Sequence, residues 1–181
     1  MKKFAIAILS ALSFSAFAVD FVSVDVDHVQ GRQGKTDSTA QFVRAGKAFG
    51  DYQINLQSRT ARFTDGVVVN SLETTVSNSK VNVMGITPFV GVAHDNGFDG
   101  GASYNYGVAG ATYGRPVGPG FLLVGAKTRV GSSQETRTKQ TVGFATYSLP
   151  VAKNVAVNFN ASRSGQDIKE KAFGLGLSFG F

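Results

Sequence analysis

The chain has 181 residues, 22 glycines, 15 phenylalanines, no cysteine, no tryptophan and a formal charge of +6, with charged residues at only 17%. Without cysteine there is no disulfide scaffold, thiolate metal site or cysteine nucleophile. So few charges and so much glycine do not fit an ordinary soluble enzyme, where charge runs near ~25%, and four prolines with a near-neutral mean hydropathy argue against a collagen or disordered tail.

The chain opens with Lys2 and Lys3, then the apolar stretch Phe4-Ala5-Ile6-Ala7-Ile8-Leu9, then the small-x-small site Ala16-Phe17-Ala18. This is the pattern of a bacterial secretory signal peptide over residues 1–18, cleaved near Ala18. Cleavage would leave a single domain over 19–181 with a formal charge of +4 and scattered basic residues, so nucleic acid is not an expected partner.

Beyond residue 18 the apolar residues recur with a period of two, the strand signature. Val22, Val24 and Val26 alternate with Ser23, Asp25 and Asp27, and Tyr52, Ile54 and Leu56 with Gln53, Asn55 and Gln57. Later, Val155, Val157 and Phe159 alternate with Ala156, Asn158 and Asn160, and Phe173, Leu175, Leu177, Phe179 and Phe181 with small residues. Ten strands are expected near 21–29, 40–49, 52–63, 67–76, 81–93, 102–114, 121–131, 138–149, 154–163 and 172–181. Short turns at Gly50-Asp51, Ser77 to Ser79, Pro116 to Gly120 and Pro150 to Asn154 alternate with longer polar loops, apart from a tight hairpin at Asp65-Gly66.

Opposite the apolar face lie mostly Gly, Ala, Ser and Asn, a poor solvent surface but a good lining for a narrow barrel. A ten-residue strand tilted by ~40° spans about 25 Å, the apolar height of an outer-membrane barrel. Closure satisfies every backbone donor, as lipid requires. The fold class expected is therefore all-β, a closed antiparallel up-and-down transmembrane β-barrel of ten strands, with eight as the alternative. On this reading phenylalanine faces lipid and glycine keeps the lumen side small. Pro88, inside the fifth strand, should mark a bulge or face an unpaired gap. Phe21, Phe49, Tyr52, Tyr113, Phe121, Tyr147 and Phe181 fall at the periplasmic strand ends like an aromatic girdle, although simple parity turns Phe21, Tyr113 and Phe121 inward.

The ending Phe173-x-Leu175-x-Leu177-x-Phe179-x-Phe181 resembles the C-terminal assembly signal of Gram-negative outer-membrane β-barrel proteins. In size and pattern the chain is similar to the opacity-like, OmpA-like and porin-like barrels. The resemblance implies the bacterial outer membrane as location. It implies as partners the outer-membrane lipid, the barrel-assembly machinery and, during transit, periplasmic chaperones.

Parity turns Asp25, Asp27, Arg44, Arg59, Glu73, Lys127 and Arg129 into the lumen, where charges need partners. Complete pairing would make a structural barrel, and incomplete pairing a narrow passive pore for ions or small solutes. Similar barrel proteases use paired aspartates with an Asp/His couple. Asp25, Asp27, His28, His94 and Asp95 raise that alternative of a rim-active hydrolase. The plainer reading, rim histidines and inward acids paired to Arg or Lys, is preferred, so no catalytic residue is assigned. No cofactor or metal site is expected, since two separated histidines without cysteine are a weak ligand set. A third class is a surface-binding barrel: Arg32, Lys35, Arg137, Lys169 and Lys171 near the outer rim could contact lipopolysaccharide phosphates.

Overall fold

The computed structural model describes residues 19–30, 37–96, 103–132, 140–166 and 169–181. The segment 1–18 lies outside these. The described chain forms ten strands: β1 (Phe21–Gln30), β2 (Ser38–Phe49), β3 (Tyr52–Phe63), β4 (Val68–Asn78), β5 (Ile86–Asp95), β6 (Tyr104–Val117), β7 (Gly120–Ser132), β8 (Gln140–Ala152), β9 (Val155–Gln166) and β10 (Lys171–Gly180). Each pairs antiparallel with its chain neighbours, and β1 pairs with β10 from Phe21↔Gly180 to Gln30↔Lys171, which closes the barrel. Closure leaves no sheet edge to be satisfied by lipid.

The seam is held by Asp20. Its backbone N–H donates to Gly46 O (2.8 Å), its carbonyl accepts from Phe181 N (3.0 Å), and its carboxylate accepts from Lys47 Nζ and Ala48 N, each at 2.7 Å. The chain start is thus tied to both β2 and the chain end. Lys47, the nearest donor, together with the Ala48 amide holds the Asp20 carboxyl below its ordinary value.

Three of the four turns beside the termini are two residues long, between β2 and β3, β6 and β7, and β8 and β9. Gly50 (φ 58°) and Gly118 (φ 55°) supply the left-handed conformation that such tight reversals need. Short turns on one end and longer connections on the other set the first end on the periplasmic side. The exception on the outer side is the β3–β4 hairpin, closed by Gly66 N–H to Phe63 O (3.0 Å) and pinned to the neighbouring connection by Thr64 N–H to Asp37 O (3.3 Å).

The fifth strand departs from expectation. It begins at Ile86 rather than 81, because Asn82 Oδ1 accepts from Gly85 N (2.8 Å) and the left-handed Met84 and Gly85 turn the chain there. Pro88 sits without a bulge in the β5–β6 ladder opposite Ala111, while the β4–β5 ladder stops at Ser77↔Phe89. The proline therefore borders an unpaired stretch, where a missing N–H costs nothing. Pro116 and Pro150, expected in turns, lie within strands, and the register shifts between Pro150 and Ala152.

The division of phenylalanine to lipid and glycine to lumen needs correction. Phe49, Phe159, Phe173, Phe179 and Phe181 share the outward face with Leu175, Val90 and Val92. Phe21, Phe42, Phe63, Phe89, Phe121 and Phe144 share the inward face. There Phe21 lies over Gly46, Phe89 over Gly110, Phe121 over Gly114 and Phe144 over Gly125. A missing Cβ on one strand is what gives a ring on another strand room to lie flat inside the wall. Tyr113, by contrast, faces outward. It pairs with the exposed Ile86 and lies against Gly85, so simple parity failed for it but held for Phe21 and Phe121.

Candidate functional site

The inward face carries the polar groups that can do anything beyond building a wall. Asp25 stands near the middle of β1 and is fully buried. Its carboxylate bonds the Arg44 guanidinium on β2 and accepts from Ser23 Oγ (3.0 Å), Asn160 Nδ2 (2.9 Å) and, more weakly, Asn158 Nδ2 (3.4 Å). The asparagines reach it from β9 across β10 because Gly176, the β10 residue in register with Asp25, has no side chain in the way. Arg44 continues the chain of bonds to Gln57 Oε1 on β3 (2.8 Å). One connected network thus ties β9, β1, β2 and β3.

A second network holds the opposite arc. Lys127 Nζ on β7 donates to both carboxylate oxygens of Glu73 on β4 at 2.7 Å, a chord that skips two strands. Arg129 stacks over the Tyr106 ring at 4.3 Å, donates to Tyr104 Oη at 2.9 Å and lies 4.0 Å from Asp95. On the first arc Phe42 lies beneath two guanidiniums, Arg44 at 4.6 Å and Arg59 at 5.9 Å from its ring centre.

Above the Asp25 level the lumen opens into a cavity of ≈ 120 Å³ that includes Asp27, Phe42, Arg59, Glu73, Lys127 and Arg129 in its lining. Asp27 Oδ1 and Arg59 Nε are buried and have no hydrogen-bond partner among the described residues. Toward the outer end an apolar cluster of Val29, Ala40, Ala61, Phe63, Val69 and Ala172 fills one side of the interior. All seven charges assigned to the lumen therefore sit inside the barrel. Sequence reasoning missed Asp95, Tyr104 and Tyr106 as partners of Arg129, and Asn158 and Asn160 as partners of Asp25. The alternation that marks Asn158 and Asn160 as inward was the available signal for the asparagines.

The remaining candidates are scattered. His28 and His94 are exposed on the outward face, away from Asp25 and Asp27. His94 Nδ1 is 2.8 Å from Asn105 Oδ1, and His28 Nε2 is 3.6 Å from Asp37 Oδ2, too long for a hydrogen bond. Among the described residues no group of three or more His, Cys, Asp or Glu could hold a metal ion. Arg32, Lys35 and Arg137 lie outside the described residues. Lys169 and Lys171 are exposed at the outer end of β10, and Phe173, Leu175, Leu177, Phe179 and Phe181 line the outward face below them.

No protein-family model and no curated protein sequence matches the chain. Solved structures do. The β domain of the Bordetella autotransporter BrkA aligns at 11% identity over 90% of this chain and 99% of its own, with a TM-score of 0.52. The translocator domain of the autotransporter NalP from Neisseria meningitidis aligns at 12% identity over 99% and 97%, with a TM-score of 0.48. Neisserial surface protein A aligns at 10% identity over 89% and 96%, with a TM-score of 0.46. Closed wall, apolar outer face, polar lumen and the likeness to the BrkA domain agree: the chain has the fold of a small bacterial outer-membrane β-barrel protein.

Proposed function

We propose that this chain is a structural, non-enzymatic outer-membrane barrel whose lumen is closed to ions and solutes. The observation that carries the reading is Asp25, a carboxylate with no exposed surface at mid-lumen, held by Arg44, Ser23, Asn158 and Asn160. A conducting pathway keeps its charges hydrated and mobile. A charge this fully dehydrated and bonded acts as a fastener. Phe21, Phe89 and Phe121, inward over glycines on the periplasmic half, and Phe144, higher on β8 over Gly125, work the same way by filling space. Hydrolysis at the rim lacks support from geometry, since Asp25 and Asp27 lie inside the wall and His28 and His94 outside it.

The second reading, a narrow pore, is favoured by the ≈ 120 Å³ cavity above Asp25. Recordings of the purified barrel in planar bilayers separate the two. Wild type is expected to stay at baseline, and the double substitution Asp25→Ala with Arg44→Ala, which removes both halves of the fastener, is expected to produce small conductance steps. Steady steps from wild type would overturn the closed-lumen reading.

A further inference from the structure

On the outward face, the alternation that makes β10 apolar from Phe181 up to Phe173 ends abruptly at Lys171. On β9 the same face changes from Phe159 and Ala161 to Arg163. Arg163 and Lys171 are partners in register on adjacent strands, both exposed. Directly opposed like charges on neighbouring strands repel, with Cβ atoms only ~5 Å apart.

Among the described residues nothing in the wall relieves that repulsion. Arg163 is flanked on β8 by Gly143, and Lys171 on β1 by Gln30. The row below reads Ala145, Ala161, Phe173 and His28 across β8, β9, β10 and β1. Neither cation makes an ion pair among the described residues. Glu170, next to Lys171 in the chain, turns the other way and lines the lumen cavity. At ~2.5 Å of height per tilted residue, Arg163 stands about 20 Å above Val155, near the top of a ~25 Å apolar band. The pair therefore lies where headgroups of the outer leaflet meet the wall.

We propose that Arg163 and Lys171 form a binding site for the phosphate of an outer-leaflet glycolipid. The headgroup phosphate supplies a counter-charge that the described residues around the pair do not, bonded by the planar guanidinium and the ammonium together. Gly143 beside Arg163, with Ala145 and Ala161 in the row beneath, leaves the wall low, and the exposed Phe173 stands in that lower row, so an acyl chain of the same lipid can lie against the barrel there. The charge complementarity selects a phosphorylated lipid over an uncharged one. Of the cations expected near the rim, Lys171 belongs to this site. Arg163 joins it because its strand position, not its loop, places it there.

The test uses the full folded chain in detergent, with bis-phosphorylated lipid A and the same lipid after phosphatase treatment as probes, binding read by native mass spectrometry. Wild type is expected to bind the phosphorylated lipid more tightly than the dephosphorylated one. Arg163→Gln and Lys171→Gln are each expected to bind it about fivefold more weakly, at roughly one unit of surface attraction per cation. Lys80→Gln, an exposed cation on the periplasmic turn, is expected to leave binding unchanged. Equal affinity for the two lipids, or undiminished binding by both Gln variants, would overturn the proposal.

Discussion

Asp25 and Asp27 stand in register with Gly176 and Gly174 on β10, so the buried carboxylates depend on two absent side chains. A Cβ at Gly176 would run into Asp25 Oδ1 and sit 2.7 Å from Val24 O, and one at Gly174 would run into Asp27 Oδ1. Backbone cannot yield as a flexible side chain would. Gly176→Ala is therefore expected to destabilise the barrel by about 1–3 kcal/mol, the cost of overpacking. At Gly143 the nearest atom is Arg163 O at 4.0 Å, so Gly143→Ala should stay within about 0.5 kcal/mol of wild type. Urea midpoints of folding into detergent or vesicles check both, and equal midpoints for the two variants would remove the steric account. Asp20 allows a pH prediction of definite sign. Its carboxyl is held below the ordinary 3.8 by Lys47 and the Ala48 amide, so its contribution is present above that value and lost as pH falls through the lower folded value. Hydrogen exchange of the Ala48 amide should show protection, corrected for intrinsic rate, that is constant from neutral pH to about 4 and declines below it. In Asp20→Asn that decline should vanish.

The strands differ in how firmly their neighbours hold them. β6 and β7 pair from Tyr106↔Ser132 down to Val117↔Gly120, whereas the β4–β5 ladder ends at Ser77↔Phe89 and leaves Thr87 and Pro88 laddered to β6 alone, with Ile86 bridged only to Val83 on its other side. Peptides covering 84–90 are thus expected to exchange amide hydrogen faster than those covering 121–127, as local opening follows missing ladder bonds. Hydrogen-exchange mass spectrometry decides it, and slower exchange in 84–90 would show the ladder end to be held by something else. The same strand marks where the sequence stops being legible. Alternation in β9 and β10 sets both existence and facing, since Asn158 and Asn160 against Val157 and Phe159 leave little choice. In β5, Val81 and Val83 continue the apolar rhythm, and a local reversal at Met84-Gly85, bonded to Asn82, ends it. Period two also cannot say that Phe89 and Phe144 point inward. That depends on Gly110 and Gly125 standing opposite on neighbouring strands, which only the register reveals.

At the scale of the whole barrel, the question is whether its interior charges hold the wall together or merely tolerate one another. Glu73 and Lys127 give the sharpest measurement, because they join β4 to β7 over two intervening strands and both are largely buried, at 13% and 23% side-chain exposure. The pair's net worth against an apolar pair of similar volume is small, since dehydrating two ions offsets their attraction. Removing one member is different, for it leaves the other buried and uncompensated. Lys127→Met is therefore expected to cost about 3–5 kcal/mol, and Glu73→Leu a comparable amount. The double substitution should recover most of the loss, giving a strong favourable coupling between the two changes. Equilibrium unfolding of the four proteins in urea, with the folded fraction read from heat-modifiable gel migration, measures that coupling. Additive losses would mean that each side chain acts through its own arc of the wall. Recovery in the double variant would show that the two charges compensate each other along the chord from β4 to β7, so that their pairing, more than the presence of charge, keeps that part of the wall stable.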